Sequence, residues 1–268
     1  MFLIDYHTHS ELSPDADFPL AEMAAAGAAA GLREMCITDH YDRIQGHGGL
    51  AGDYDWGPAL AQYQAVQKGL PDGFTLRLGI EYGSAPFDPD YARSMLALPE
   101  LDFVIGSLHN RSPQLGGEDF YYGGYEDEAE CYAALDDYFT SMERLVELPE
   151  CYDVLGHIIY PLRYMPEGIR LDRYHERIDA ILRRVVEVGR GIELNTYCGR
   201  TIEPWRWVLE RYRAHGGELM TLGSDAHFPQ RVGLGLEAGA RLLLETGFRY
   251  VTTYEKHRPT MHPIEDGR

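Results

Sequence analysis

Histidine and acidic side chains occur along this chain at spacings that suit the binding of metal ions. His7 and His9 are separated by one residue, so in an extended segment both imidazoles point to the same side and can grip one ion. Imidazole nitrogens combined with carboxylate oxygens favour zinc, iron or manganese over calcium or magnesium. Further candidates of the same types are His40, Glu81, His109, His157, Asp225 and His227. This set exceeds the needs of a single tetrahedral ion, so the sequence predicts roughly two or three divalent ions.

Clustered metal ions of this kind are typical of hydrolases. Two neighbouring ions can lower the pKa of a water molecule towards neutrality and can hold a phosphoryl group from both sides. A carboxylate such as Glu81 can bridge the two ions. The reaction classes that follow are phosphoester hydrolysis and the hydrolysis of amides or imides.

The candidate ligands of this set lie at the end of, or just after, apolar runs of strand length. The runs are residues 2–6, 34–38, 76–81, 103–107, 152–156, 191–195, 218–223 and 249–253. Runs that are apolar throughout are typical of parallel strands buried on both faces. Glu193, inside the sixth run, is the weakest candidate, and we expect it to support arginine side chains or to hydrogen-bond groups behind the ligands.

Segments with helical character separate these runs. They are residues 20–30, 59–69, 127–148, 171–188, 205–215 and 234–246. The alternation of strands and helices predicts an α/β fold with a parallel sheet, in a single domain over residues 1–268. Seven or eight such units in 268 residues favour a closed, distorted TIM-like barrel, and an open doubly wound sheet is the alternative. In a barrel the carboxyl ends of the strands meet on one face, which would gather the candidate ligands into one ring.

Two stretches rich in loop-forming residues, 42–55 and 111–125, interrupt this alternation. Long loops often border active sites, so both are candidate borders of the metal site. His47 lies in the first stretch, and we expect it to be a loop residue rather than a ligand.

The composition excludes several kinds of partner. The chain has 43 Asp and Glu residues against 24 Lys and Arg, a formal net charge of −19. Such a surface repels nucleic acid phosphates, so no nucleic acid partner is expected. No segment is apolar over the length of a membrane span, and the N-terminus has no signal-peptide pattern, so no membrane partner is expected either. The four cysteines form no Cys-x-x-Cys pair, which favours reduced thiols and a cytoplasmic location. Nothing in the sequence indicates the oligomeric state.

The order of the candidate ligands resembles the polymerase-and-histidinol-phosphatase (PHP) superfamily. Its signature is His-x-His, Thr-Asp-His, Glu, Ser-x-His, Gly-His and Ser-Asp-Ala-His, which occurs here at residues 7–9, 38–40, 81, 107–109, 156–157 and 224–227. These blocks cover almost the whole chain in the expected order. Within the superfamily the chain is most similar to the stand-alone histidinol-phosphate phosphatases, on residues 102–109, 153–157 and 163–164.

The resemblance implies a distorted seven-stranded β/α barrel with up to three metal ions. One ion would be held by His7, His9, Glu81 and Asp225, a second by Glu81, His109 and His157, and a third by Asp15, His40 and His227. Many relatives have histidine at position 15, where this chain has Asp15. A carboxylate is a competent hard ligand, so we expect the third site to survive with an altered metal preference.

The activity that the resemblance implies is hydrolysis of a small phosphate monoester, L-histidinol phosphate, to L-histidinol and phosphate in histidine biosynthesis. An activated water would attack phosphorus in line. Arg163 is the first candidate for binding the phosphate, because a guanidinium can donate two parallel hydrogen bonds to it. Arg200 and Arg111 are the second choices for the same role. The general acid for the leaving alcohol would be Asp225, His227 or a metal-bound water.

Other functions stay open at this point. The chain could be a PHP-type phosphoesterase for another small molecule, or a non-catalytic metal-binding protein built on the same barrel. It could also hydrolyse a C–N bond like an amidohydrolase, but such enzymes usually need a carboxylated lysine at a strand end. The lysines of this chain, Lys68 and Lys256, do not lie at such positions.

Overall fold

The computed structural model describes residues 1–46 and 49–265, and His47 lies outside the described residues. The strands are β1 (Ile4–Thr8), β2 (Glu34–Ile37), β3 (His40–Tyr41), β4 (Ile44–Gln45), β5 (Gly49–Leu50), β6 (Thr75–Tyr82), β7 (Phe103–Gly106), β8 (Val154–Leu155), β9 (Gly191–Asn195), β10 (Met220–Gly223), β11 (Tyr250–Glu255) and β12 (Arg258–Pro263). The main sheet runs in the order β1-β2-β6-β7-β8-β9-β10, and neighbouring strands are parallel.

The two edges of this sheet meet, so the sheet is nearly closed as a barrel. The backbone N–H of Asp225, just after β10, donates to the carbonyl of His7 at 2.9 Å, and the N–H of His9 donates to the carbonyl of Ala226 at 2.9 Å. The prediction of a distorted seven-stranded barrel is therefore confirmed, and the open doubly wound alternative is wrong. Closure also brings the segment that follows β10 against the end of β1.

The helices pack around the outside of the barrel, as their apolar spacing predicts. They are α1 (Leu20–Ala29), α2 (Trp56–Gln67), α3 (Pro89–Met95), α4 (Glu128–Leu145), α5 (His175–Glu187), α6 (Arg206–Ala214) and α7 (Leu236–Glu245). In α5 the buried residues Ile178, Ile181, Leu182 and Val185 lie on one face at helical spacing. The start of α4 is fixed by the side chain of Asp127, which accepts a hydrogen bond from the N–H of Glu130 at 2.8 Å. The short helix α3 was not predicted.

The eighth predicted strand does not join the barrel. Its residues form β11, which pairs antiparallel with β12 in a hairpin. The hairpin contacts the amino-terminal ends of barrel strands: the N–H of Met220 donates to Thr252 Oγ1 at 3.1 Å, and the N–H of His257 donates to the carbonyl of Asp102 at 2.9 Å. The hairpin therefore closes the end of the barrel opposite the predicted ligands. Inside the barrel, the rings of Tyr6 and Phe103 pack edge to face with centroids 4.9 Å apart.

Two further expectations concern the whole chain. Within the part of the chain that the structure describes, no helix combines the length and the apolar character needed to cross a membrane. The thiols of Cys36, Cys131, Cys151 and Cys198 are free.

Candidate metal centre

Glu81 lies at the centre of the predicted ligands. It sits near the end of the longest barrel strand, β6, and its side chain is fully buried. One carboxylate oxygen, Oε2, lies 2.9 Å from His7 Nε2 and 2.9 Å from His40 Nδ1. The other oxygen, Oε1, lies 3.0 Å from His109 Nε2 and 2.8 Å from His157 Nε2. Each oxygen therefore faces a different group of imidazoles, as a carboxylate that bridges two metal ions must.

The end of β1 and the segment after β10 build the group on the Oε2 side. His7, in β1, and His9, directly after it, both face Glu81, as their spacing predicts. Asp225 Oδ1 lies 3.4 Å from His9 Nε2 and 3.7 Å from His7 Nε2. Asp225 has a left-handed backbone with φ of 61°, a costly conformation that aims its carboxylate at the two rings. The structure thus brings together the four residues predicted for one ion.

His109 and His157 build the group on the Oε1 side. Their Nε2 atoms lie 3.4 Å apart, and both face the same oxygen of Glu81. The ligand atoms of Glu81, His109 and His157 all lie within 4.8 Å of one another. Ser107 donates a hydrogen bond to Glu81 Oε1 at 2.6 Å and so fixes the carboxylate between the two rings.

A third group, nearer the surface, contains Asp15. Its Oδ2 lies 3.0 Å from His227 Nε2 and 3.6 Å from His40 Nε2. The ring of His9 stacks against both of the other imidazoles, with its centroid 4.1 Å from that of His40 and 4.2 Å from that of His227. The Asp15 side chain is 55% exposed, which makes this the most open of the three groups.

The charges around these groups favour the metal-binding form of Glu81, Asp225 and His9. Burial raises the pKa of Glu81, but the neighbouring imidazoles, His7 above all, outweigh burial and hold this pKa well below its usual range. Burial also raises the pKa of Asp225, yet His7 and Arg163 keep that pKa well below its usual value. Burial, together with the neighbouring imidazoles, keeps the pKa of His9 well below its usual value, so its ring is neutral. Ionised carboxylates and neutral imidazoles are the forms that bind metals. Burial lowers the pKa of His7 and of His109, but the neighbouring carboxylates outweigh burial and raise both pKa values above the usual range, so these two rings release a proton when an ion binds.

An unpartnered nitrogen supports the fit of a metal ion. His9 Nε2 is buried and has no hydrogen-bond partner among the described residues, although Glu81 and Asp225 lie nearby. A buried polar atom of this kind costs free energy unless something binds it. The convergence of imidazoles and ionised carboxylates on this atom fits divalent ions such as zinc, iron or manganese.

Glu193 and Asn195, both on β9, hold the ligands from behind. Glu193 Oε2 lies 2.8 Å from His7 Nδ1, the nitrogen directed away from Glu81. Glu193 Oε1 accepts a hydrogen bond from the backbone N–H of His157 at 2.7 Å. Of its two expected roles, Glu193 therefore has the hydrogen-bonding one. Asn195 Nδ2 donates to Asp225 Oδ2 at 3.2 Å. Asn195 was not predicted, although its position two residues after Glu193 places both side chains on one face of the strand.

Arg163 lies beside the Oε2 group and is almost fully buried. Its guanidinium donates to Asp225 Oδ2 at 2.8 Å and to Asn195 Oδ1 at 2.9 Å. It also lies over the ring of Tyr197, 4.1 Å from the centroid. Tyr197 has φ of 46°, in the left-handed region that disfavours residues with side chains, and its N–H donates to Asn195 Oδ1 at 2.9 Å. The turn after β9 is thus strained in a way that presses an aromatic ring onto the guanidinium.

The two other candidate arginines have different positions. Arg200 lines the same cavity as the ligands, and its guanidinium lies 4.9 Å from the centroid of the Tyr197 ring. Arg111 does not line this cavity. Its guanidinium lies over the Tyr125 ring, 5.7 Å from the centroid, and 3.7 Å from Glu130. The structure therefore brings Arg200, but not Arg111, to the site with Arg163.

The cavity above the ligands has a volume of about 630 Å³. This size is typical of a site for a small molecule. Part of its wall is aromatic, formed by Tyr121, Tyr122, Tyr160, Tyr164, Tyr197 and Phe228. Both loop-rich stretches border it, through Asp42 from the first and Asp119 from the second. Lys68 and Lys256 do not line it: Lys68 caps α2, and Lys256 Nζ donates to the carbonyl of Pro99 at 2.8 Å.

Comparison with known proteins gives a consistent result. Residues 5–197 match the PHP domain family. The histidinol-phosphatase of Lactococcus lactis subsp. lactis (strain IL1403) is 26% identical over 260 residues, 94% of each chain. A chain named "Probable histidinol-phosphatase" from Thermotoga maritima is 26% identical over 264 residues, 97% of this chain and 99% of that one.

A solved structure has the same fold over nearly the whole chain. It is the crystal structure of histidinol phosphate phosphatase from Lactococcus lactis subsp. lactis Il1403, complexed with zinc, L-histidinol and phosphate. Its TM-score is 0.84 at 24% identity, and the match covers 96% of this chain and 98% of that one. The family match extends over well more than half of the residues. It includes most of β1, all of β6 and the candidate ligands from His7 to His157. The chain therefore belongs to the PHP domain family.

Proposed function

We propose that this metal-dependent phosphatase hydrolyses L-histidinol phosphate to L-histidinol and phosphate, as a step of histidine biosynthesis. The observation that carries the proposal is the position of Glu81, whose two oxygens face separate groups of imidazoles directly below the cavity. Relatives named histidinol-phosphatase, aligned over nearly the whole chain, support this substrate. The cytoplasmic location stays a prediction.

We propose that the three groups of side chains described above hold two or three ions of zinc, iron or manganese. Divalent ions bound there would offset the charge of the phosphoryl oxygens and activate a water for attack on phosphorus. Glu81 would bridge two of these ions, because each of its oxygens faces two imidazoles of a different pair. Asp15 completes the exposed group in place of a histidine.

Arg163 is proposed to bind the phosphate. Two of its donors are already taken by Asp225 and Asn195, which fixes the guanidinium plane at the cavity wall. We propose that the remaining N–H groups donate to a phosphoryl oxygen, and a side chain that is already held in place favours the transition state. Arg200 is proposed as a second cation for the same group, because it lines the same wall. His227, which lines the cavity, stays the candidate for the general acid. Asp225 fits that role less well: although burial raises its pKa, His7 and Arg163 hold the pKa well below its usual value and leave the carboxylate without a proton to donate.

A C–N hydrolase is disfavoured by the same geometry. Such an enzyme would need a carboxylated lysine at the metal centre, and the described positions of both lysines lie away from it. A phosphoesterase for another small molecule stays the alternative, because the cavity admits other phosphate monoesters of similar size.

The test is the steady-state release of phosphate and other products from a small substrate panel. The panel contains L-histidinol phosphate, p-nitrophenyl phosphate, a phosphodiester and a cyclic imide, each with added zinc or manganese and with chelator. We expect efficient hydrolysis of L-histidinol phosphate that chelator abolishes. Hydrolysis of p-nitrophenyl phosphate alone would reject the histidinol assignment but keep the phosphatase. Turnover of the imide alone would reject both.

A further inference from the structure

Asp42 lies directly behind one of the metal ligands. Its Oδ2 is 3.0 Å from His109 Nδ1. The opposite nitrogen of that ring, Nε2, faces Glu81 Oε1 at 3.0 Å and His157 Nε2 at 3.4 Å. Because the two ring nitrogens point in different directions, a carboxylate on Nδ1 contacts the side of the imidazole that faces away from Glu81. Asp42 is therefore placed to hold the ring of a ligand rather than to join that ion.

The neighbouring residue Gly83 leaves room for this contact. A Cβ atom at Gly83 would collide with Asp42 Oδ1 and would lie 3.0 Å from His109 Nδ1. The backbone of Gly83 is not in the left-handed region, so its conformation does not require glycine. The space that Asp42 occupies does require it.

The same arrangement occurs at a second ligand, His7. Glu193 Oε2 lies 2.8 Å from its Nδ1, while its Nε2 lies 2.9 Å from Glu81 Oε2. A Cβ atom at Gly223 would lie 2.5 Å from the Cβ of His7 and 3.0 Å from Glu193 Oε2. A carboxylate behind the imidazole and a glycine beside it thus appear on both sides of the Glu81 carboxylate. His157 differs, because its Nδ1 is buried without a hydrogen-bond partner among the described residues.

We propose that Asp42 is a positioning residue for the metal centre and that glycine at position 83 leaves the space that its carboxylate occupies. Asp42 accepts the Nδ1–H of His109, which keeps the proton on that nitrogen and turns the Nε2 lone pair towards the ion shared with Glu81 and His157. The inference rests on the metal centre of the proposed function. Its test measures metal binding and not turnover, so it stays valid if the substrate proves to be another phosphate ester.

The experiment compares variants of the full chain that have been stripped with chelator and titrated with zinc. Asp42→Asn removes the charge at nearly constant shape, and Gly83→Ala displaces the carboxylate from the other side. Gly52→Ala is the matched control. It adds a methyl group in the loop that contains Asp42, at a position where no atom lies within 4 Å of the new Cβ. Affinity is measured by competition with a chromogenic chelator, and the zinc bound at saturation by elemental analysis.

We expect Asp42→Asn and Gly83→Ala each to weaken binding of one zinc ion by about 10- to 100-fold, with the same zinc content at saturation. The double variant should bind zinc no more weakly than Gly83→Ala alone, since both changes remove one contact. The metal-free Asp42→Asn variant should still unfold cooperatively in a thermal melt, which separates a loss of zinc affinity from a loss of the fold. Unchanged affinity in Asp42→Asn would overturn the proposal, and this variant decides the question if Gly83→Ala does not fold. Loss of a whole ion at saturation would also overturn it, because Asp42 would then be a ligand itself.

Discussion

Replacement of Arg163 by alanine separates phosphate binding from metal binding. The guanidinium is not a metal donor, yet it contacts Asp225, a proposed metal ligand, at 2.8 Å and lines the cavity. The variant should therefore bind the same number of metal ions as the unaltered enzyme but bind phosphate poorly. Loss of one preorganised donor to a transition state typically costs about 100- to 1,000-fold in kcat. Because Arg163 would hold the phosphate group of the bound substrate as well, we expect a fall in kcat/KM of that size, accompanied by a higher KM and weaker inhibition by inorganic phosphate.

The stability of the Arg163→Ala variant should depend on metal. Removing one partner of a buried ion pair typically costs about 3–5 kcal/mol. Asp225 keeps contacts to Asn195 at 3.2 Å and to His9 at 3.4 Å, so the lower end, about 3 kcal/mol, is expected without metal. For a chain of this size that equals a fall in Tm of about 6–12 °C. A bound cation would neutralise Asp225 and shrink the difference.

The assays for Arg163→Ala are steady-state kinetics, product inhibition by phosphate, metal analysis and thermal melts with and without chelator. Arg170→Ala is the control, since its side chain is 74% exposed and pairs with Asp172 on the surface. Unchanged KM and unchanged phosphate inhibition in Arg163→Ala would refute the assignment of the phosphate to this residue. A loss of bound metal equal to the loss of activity would show that the residue acts through Asp225 instead.

Three other predictions follow from the same structure. Glu81→Gln should reduce both metal content and activity. Its loss of metal affinity should exceed the roughly 10- to 100-fold loss expected when a residue that only hydrogen-bonds a ligand is replaced. Full metal content in elemental analysis would contradict the bridging role. Chelator should lower the Tm measured by calorimetry by about 5–10 °C, relative to enzyme in a free metal concentration of about 100 times the dissociation constant. An unchanged Tm would argue against metal binding to the folded chain. Gly191→Ala should destabilise the chain by about 1–3 kcal/mol, because the added Cβ would lie 2.6 Å from the carbonyl oxygen of Leu219. Denaturant titrations measure this difference, and a stability equal to that of Gly52→Ala would refute the prediction.

The clustering of the candidate ligands could be predicted from the sequence because their positions depend on local rules. A parallel strand that is apolar throughout has a recognisable end, and a barrel places all such ends on one face. His7, Glu81 and His157 needed no more than this to be placed together. The eighth apolar run also looked like a barrel strand, but β1 and the segment after β10 already close the sheet, so this run forms a hairpin instead.

The residues that hold the ligands were harder to predict, because their roles depend on contacts between distant segments. Asp42 lies in a loop, and nothing local in the sequence indicates that its carboxylate meets His109, 67 positions away. Asn195 acts through Asp225, which lies 30 positions further on. Arg111 showed the opposite problem: it follows His109 closely in sequence, yet its side chain turns towards Tyr125 and Glu130.

Reconstitution of the metal-free enzyme tests the central claim most directly. Phosphate release from L-histidinol phosphate is measured while zinc or manganese is added in steps to enzyme stripped by chelator, with Glu81→Gln run in parallel. The bridging role of Glu81 predicts no activity without metal, full activity after about two or three equivalents, and no recovery in the variant. Substantial hydrolysis by the metal-free enzyme, or full recovery in Glu81→Gln, would contradict the account.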